Sequence, residues 1–402
     1  MTKTRKKIFF LTHEFYPVLS GGTIFAEKMA IELDLLGYDV EIITCGVGKD
    51  FPRIEKKQHY TVRRFNTFRK SVSDAKLVEH ALFGLFVLPQ LFMHLLKERL
   101  RQRPEPALRS LGEVGSGEGS LLFSIFAIPA GILGVLVCKL LRIPHVIFVD
   151  AADTPGVDSA MQSLIKVLKP LFTWTTKHCE GVVVLEGLED IACPLITNKN
   201  VTIIPNGTTI PTEIANLNAD PKKLRILSIG RLVARKSFLD IVEAMAVTKQ
   251  QTPDFHLTIV GYGGKEADLR TMIAEKGLAE HITLAGRVEY DQLKEYYKNS
   301  DCYIFYGGRE GSSLAMIEAV SYGLPVIASD HPGNRTFVKN NESGYLVEHG
   351  NPSQLGMAVA KLARDRALLQ SMGKASRDMA LKYSWTNIAK KYGDFFAASS
   401  RE

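Results

Sequence analysis

The chain has 402 residues, 46% of them hydrophobic and 23% charged, with a formal net charge of +7. That length exceeds one ordinary core and points to two α/β domains, while the surplus of cations favours an anionic partner. Charge alone leaves open a nucleotide diphosphate, an acidic membrane surface and nucleic acid.

The five cysteines (Cys45, Cys138, Cys179, Cys193, Cys302) are scattered and show no C-x-x-C spacing. This argues against a disulfide framework or a zinc site, and for a reducing compartment. The opening MTKTRKKIFFLTHEF lacks the long apolar core and small-residue cleavage site of a signal peptide, so residues 7–12 read as a first strand. PVLSGG (17–22) reads as a turn, residues 26–36 as a helix stopping at Gly37, and 40–44 as a second strand. Gly21 and Gly22 would let backbone approach a phosphate or sugar, and a plain tight turn accounts for them equally well.

Residues 81–100 are apolar nearly all round, contain Pro89, and run into the basic KERLRQR at 97–103. A buried core helix and a surface-lying membrane helix with a basic flank both fit. Residues 121–138 have almost the length of a membrane span, but Pro129, Gly131 and Gly134 divide them into strand, turn and helix. EVGSGEGS (113–120) resembles a nucleotide fingerprint, yet no buried strand precedes it, and it reads as a glycine-rich loop. HVIFV (145–149) is a strand ending in the polar cluster DAADTPGVD (150–158), and GVVVL (181–185) is another. After 201–204 the turn Pro205-Asn206-Gly207 and a polar stretch mark the domain boundary.

The pattern then restarts. Strands are expected at 225–229, 256–260, 282–285, 302–306 and 325–328, with helical periodicity between them, giving a second parallel α/β domain. Arg231 and Lys236 follow the first of these strands, and two cations at a strand end can neutralise a diphosphate. EGSSLAMIEAVSYGLPVIAS (310–329) places Glu310 before a small-residue turn and Glu318 within the helix that follows. The backbone N–H groups of Gly311, Ser312 and Ser313 at that helix start suit a diphosphate, and the two carboxylates suit sugar and ribose hydroxyls. An ordinary capped helix start has the same look when taken alone.

Taken in order, Pro17…Gly21-Gly22, Pro205-Asn206-Gly207, Gly230-Arg231…Lys236, the E-x7-E from Glu310 to Glu318, and GLPVIAS resemble the family 4 glycosyltransferases over nearly the whole chain. The resemblance implies the GT-B fold, two Rossmann-like doubly wound domains facing a cleft. The domains would span residues 1–210 on the acceptor side and 211–382 on the nucleotide-sugar side, with 383–402 a helix packing back on the first.

It also implies transfer of a hexose-type sugar with retention of configuration, from a nucleotide-diphosphate sugar to a glycan or lipid-linked acceptor. Neither a metal nor another cofactor is expected, and nucleic acid is not an expected partner. Arg231 and Lys236 would stabilise the diphosphate, Glu310 the donor sugar and Glu318 the ribose. Gly21, Gly22, Gly230, Gly311, Ser312, Ser313 and Leu314 complete the donor set. Asp150 joins the catalytic group, and His13 and Asp153 would line the acceptor side. The implied location is cytoplasmic, with the inner membrane face as a further contact.

Three positions depart from the family pattern. Asp150-Ala151 stands where many relatives carry His-Gly, Thr336 where a Glu is usual, and Glu186 where a Ser or Thr is usual. Outside the glycosyl transfer reading, a sugar-nucleotide epimerase or phosphorolytic enzyme of similar fold, and a non-catalytic nucleotide-sugar-binding or membrane-interaction protein, remain as alternatives.

Overall fold

The computed structural model of the protein describes residues 5–18, 20–46, 51–67, 77–101, 119–151, 154–155, 165–217 and 222–400. EVGSGEGS and Asp153 thus fall wholly or mainly outside the described residues. The chain forms two compact units, residues 1–204 with 385–402, and residues 205–384. The division falls at the Pro205-Asn206-Gly207 turn itself, a few residues ahead of the 210/211 boundary read from sequence.

The first unit begins β1 (Lys7–Leu11), α1 (Gly21–Leu35), β2 (Asp39–Cys45), β3 (Ile54–Lys56), β4 (Thr61–Phe65) and α2 (Leu77–Arg101). It continues through β5 (Leu121–Ile125), α3 (Ile132–Leu141), β6 (His145–Val149), α4 (Ile165–Lys177), β7 (Gly181–Leu185), α5 (Glu189–Ala192) and β8 (Val201–Ile204). Its sheet runs β3-β4-β2-β1-β5-β6-β7-β8, parallel throughout except for the β3–β4 pair.

The second unit comprises β9 (Leu224–Ile229), α6 (Phe238–Gln251), β10 (Phe255–Val260), α7 (Glu266–Glu275), β11 (Ile282–Gly286), α8 (Leu293–Lys298) and β12 (Cys302–Phe305). It ends with α9 (Leu314–Ser321), β13 (Val326–Ser329), α10 (Pro332–Phe337), β14 (Gly344–Val347), α11 (Pro352–Arg364) and α12 (Arg366–Ala380). All six strands are parallel, in the order β11-β10-β9-β12-β13-β14. The last helix, α13 (Trp385–Ala398), belongs to the first unit.

Burial on both faces explains why these strands read as unbroken apolar runs rather than alternating ones. In the first sheet Phe9 and Leu11 face α2 and α3, joining Val87, Leu91, Leu95, Leu133 and Val137 in one core. Their neighbour Phe10 and the same-face Phe123 and Phe148 meet Phe25 of α1 and Tyr392 and Phe396 of α13.

Two sequence expectations change here. Gly21 and Gly22 are not a turn but the first residues of α1, whose N-cap Ser20 accepts from the Thr23 N–H. Gly22 is small because a Cβ there would lie 2.9 Å from the Phe126 ring. Residues 77–101 are neither wholly core nor wholly surface, since Phe83, Val87, Leu91 and Leu95 are buried while Leu85, Met93 and Leu100 are exposed. Pro89 lies within the helix without ending it.

Buried charge ties α2 to the sheet. Glu41 on β2 pairs with Lys7 of β1 at 3.0 Å and with His94 of α2 at 3.1 Å, and also engages Arg63 of β4. Burial alone would raise its carboxyl, but His94, Lys7 and Arg63 outweigh it and bring the pKa down to about 2. Deeper in the unit, His145 of β6 bonds Ser124 Oγ of β5 at 2.9 Å, and complete burial lowers its pKa to about 3. Gly134 of α3 leaves it room, for a Cβ there would sit 2.3 Å from His145 Nε2.

Candidate functional site

In the second sheet β9 and β12 are neighbours, and the strands that follow them leave in opposite directions. The carboxyl ends of such a pair form the crevice where open α/β sheets bind ligands. The loops at these ends are Gly230–Ser237 and Tyr306–Ser313, which carry most of the residues singled out in the second half of the sequence.

After β9, Gly230 is followed by Arg231, exposed at the strand end. A single 3-10 turn at Ala234–Lys236 then places two cations side by side, and Ser237 closes it in a left-handed conformation (φ 47°). That backbone geometry is uncommon for a residue with a Cβ and is characteristic of functional loops. The Gly308 N–H donates to the Arg235 carbonyl at 2.9 Å, and a Cβ on Gly307 would lie 2.8 Å from the same oxygen. Glycine at 307 is therefore what lets the two loops touch.

Across that contact Lys236 Nζ donates to Glu310 Oε2 at 2.7 Å, and Arg235 Nη1 lies 3.1 Å from Glu310 Oε1. Lys236 Nζ also sits 5.0 Å from the centroid of the Phe305 ring. The Glu310 side chain is only 12% exposed, so its pairing with two cations is what allows the charge to reside there.

Beyond Glu310, Gly311 and Ser312 are buried and Ser313 is the N-cap of α9, with Leu314 its first residue. Ser313 makes no side-chain capping bond, so its own hydroxyl does not satisfy the amides of this helix end. The segment is fixed from two sides. Asn206 donates its backbone N–H to Ser312 Oγ at 2.9 Å and its Nδ2 to the Ser312 carbonyl at 2.6 Å. Gly333 of α10 packs so closely that a Cβ there would lie 2.7 Å from the Glu310 carbonyl.

Glu318, in α9, accepts from Tyr297 Oη at 2.9 Å and from Tyr290 Oη. Burial, then Glu318, pushes the Tyr297 phenol well above its ordinary pKa, so it donates to the carboxylate throughout the neutral range. Near the other side of the loop, His331 Nε2 is 3.2 Å from the Gly307 carbonyl and its ring centroid is 5.7 Å from that of His349. Burial, then the neighbouring His349, lowers the His331 pKa.

The sequence reading missed Arg235, Asn206, Tyr290, Tyr297, His331 and His349. Arg235 had a signal in its adjacency to Lys236. Asn206 stands out in the sequence only as part of a turn. The tyrosines and histidines come from distant segments and carried no signal of their own.

In the first unit the candidates gather less tightly. His13 follows β1 and is buried, with its ring centroid 5.2 Å from that of Phe126, the same ring that crowds Gly22. Phe126 itself holds φ 80° immediately after β5, the strand beside β1. Asp150 directly follows β6, where its Oδ1 accepts from the Ala151 N–H at 2.5 Å and its carbonyl accepts from Thr154 Oγ1 at 2.7 Å. Among the described residues no group of three or more His, Cys, Asp or Glu side chains is placed to hold a metal ion.

Residues 209–379 match the family model described as "Glycosyl transferases group 1". The chain is 27% identical to the amylovoran biosynthesis glycosyltransferase AmsK of Erwinia amylovora over 90% of this chain and 91% of that one. It is 30% identical to a GDP-mannose-dependent alpha-(1-6)-phosphatidylinositol monomannoside mannosyltransferase of Mycobacterium tuberculosis, over 42% of this chain and 46% of that protein. Among solved structures it resembles sucrose-phosphate synthase from Thermosynechococcus elongatus with a TM-score of 0.79 and 20% identity, covering 98% of this chain and 99% of that one. With two Rossmann-like units of parallel sheet and a glycosyl transferases group 1 domain at residues 209–379, the chain has the GT-B fold and is an enzyme of the glycosyltransferase class, similar to family 4.

Proposed function

We propose that the protein is a retaining glycosyltransferase that moves a hexose-type sugar from a nucleotide-diphosphate sugar to a glycan or lipid-linked acceptor, in the making of a cell-surface polysaccharide or glycolipid. The observation that carries this reading is the cluster of Lys236, Arg235 and Glu310 beside the start of α9. It sets cations, amides and a carboxylate at one strand-end crevice.

In this reading the diphosphate takes the amides of Gly311, Ser312 and Ser313, with Arg231 and Lys236 meeting the charge that grows as the glycosidic bond breaks. Glu310, exchanged out of its pair with Lys236, accepts from donor-sugar hydroxyls. Glu318 accepts from the ribose, and Gly230 and Leu314 border the same pocket. The leaving phosphate assists attack by the acceptor hydroxyl from the same side, so retention requires no protein nucleophile and no metal. By the resemblance, Asp150 joins the catalytic group, Gly21 and Gly22 the donor set, and His13 and Asp153 the acceptor side.

The names of two relatives, one in amylovoran biosynthesis and one acting on a phosphatidylinositol monomannoside, support a glycan or lipid-borne acceptor. A lipid-borne acceptor brings with it peripheral contact with the inner membrane face. The test is a thermal-shift screen of nucleotide-sugars, followed by transfer assays with the donor that stabilises and NMR of the product anomer. Stabilisation by one donor and a product of unchanged anomeric configuration are expected. An inverted product sinks the retaining mechanism, and no response to any donor sinks the whole reading.

A further inference from the structure

Large apolar side chains left exposed are spread thinly over most of the protein, but three helices of the first unit concentrate them. Leu85, Met93 and Leu100 on α2, Leu136 and Leu140 on α3, and Trp174 on α4 are all exposed, Leu85 at 68% and Leu140 at 70%. The spacing of each set fits the outer stripe of its helix, opposite residues that enter the core.

The three helices form one layer. α2 packs on α3, and α4 packs on residues 127–131, which lead into α3. A Cβ on Gly131 would touch Thr175 of α4 and Ile147 of β6, and Ile147 alternates with Phe148, which faces α1. α4 therefore shares the face of the sheet that α2 and α3 cover, the face opposite α1 and α13.

Among the described side chains, the exposed charge on this layer has one sign. The exposed charged side chains described on α2, α3 and α4 are Lys97, Arg101, Lys139, Lys169 and Lys177. Glu98 of α2 is turned into ion pairs with Lys7 at 3.1 Å and Arg101 at 2.8 Å. Apolar tips interleaved with long cations, whose stems lie along the apolar surface and whose charges reach anionic headgroups, suit a bilayer interface. No described helix is long and apolar enough to cross a membrane.

We infer that the outer face of α2, α3 and α4 docks this enzyme on an anionic lipid bilayer, lying on the surface without spanning it. The inference names the surface that the lipid-borne acceptor of the proposed function calls for, and rests on that reading only for the acceptor being lipid-borne. The substituted residues below are none of those assigned to the donor.

The test uses the full chain with vesicles of phosphatidylglycerol and phosphatidylcholine, compared with phosphatidylcholine alone. The chain has two tryptophans, and Trp385 is buried, so a blue shift of emission on mixing reports Trp174 entering the interface. Flotation with the anionic vesicles and that blue shift are expected. The doubly substituted Lys97→Glu, Lys139→Glu and, separately, Leu136→Glu, Leu140→Glu proteins should partition about tenfold less or weaker. Thermal stabilisation by the nucleotide-sugar donor should be unchanged in both, which separates loss of docking from failure of the transfer reading. Absence of flotation, variants that float like the parent, or unmoved Trp174 emission overturns the inference. So does a lipid-free dimer that Leu140→Glu dissolves, which would assign the face to a second copy of the chain.

Discussion

Asn206 holds Ser312 by two hydrogen bonds, one to its hydroxyl at 2.9 Å and one to its carbonyl at 2.6 Å. Ser312 is 2% exposed, so water has little access to replace either bond. Asn206→Ala is expected to cost about 1–3 kcal/mol of stability, the usual penalty for leaving buried partners unpaired. Donor binding should weaken by more than the melting shift explains, since the amides after Glu310 lose their anchor. Asn206→Asp should fare no better, because a carboxylate cannot donate to the Ser312 carbonyl. Melting temperature and donor titration measured together check this, and a variant with lowered stability but intact donor affinity would count against the clamp.

Lys236 and Arg235 share Glu310, and Lys236 also lies over the Phe305 ring. Lys236→Ala is expected to lower kcat by about 100- to 1,000-fold, the scale seen when one preorganised charge-stabilising group is lost. Arg235→Ala leaves Lys236 in its pair and should cost about tenfold. Steady-state kinetics decide, and turnover of Lys236→Ala near the parental rate would falsify the assignment.

Gly333 touches the Glu310 and Gly311 backbone with no space for a methyl group. Gly333→Ala should displace that loop while leaving the sheet folded, because overpacking is relieved by backbone shifts costing about 1–3 kcal/mol. The expected signature is a near-normal circular dichroism spectrum with strongly reduced donor binding. Normal binding would mean that α10 can retreat.

His145 predicts an acid limb of stability. Its pKa is about 3 in the folded protein, against an ordinary value of 6.5. Between those values the unfolded chain binds a proton that the folded one refuses. Stability is therefore full above pH 6.5 and lost progressively toward pH 3. Over the upper part of that window, from pH 6.5 to 4, the loss is about 3 kcal/mol. Chemical denaturation at stepped pH should show a shallower slope in His145→Gln, which keeps a polar group toward Ser124. An identical slope would remove His145 as the cause.

The two-sheet architecture was legible because strands buried on both faces announce themselves as short apolar runs, such as HVIFV and GVVVL. The β3 and β4 edge pair was not, since IEK and TVRRF carry the charges expected of an edge and resemble loop. β14 escaped notice because its four residues, GYLV, are too few to show a period. α1 began earlier than expected because glycine argues for a turn locally, while the Phe126 ring that excludes a larger residue comes from far along the chain. Glu310, Lys236 and Ser312 could be singled out by residue type and order. Arg235, Asn206 and the tyrosines on Glu318 depend on which loops meet, which is set by strand order rather than by spacing.

The outer surface of α2, α3 and α4 is parallel to the plane of the sheet, whereas the strand termini that present His13 and Asp150 lie along its rim. An enzyme docked by that broad side, as proposed above, would hold those strand termini clear of the lipid rather than pressed into it. Lipid-borne acceptors would then arrive sideways, by diffusion in two dimensions, and the product could leave without lifting the catalyst off its raft.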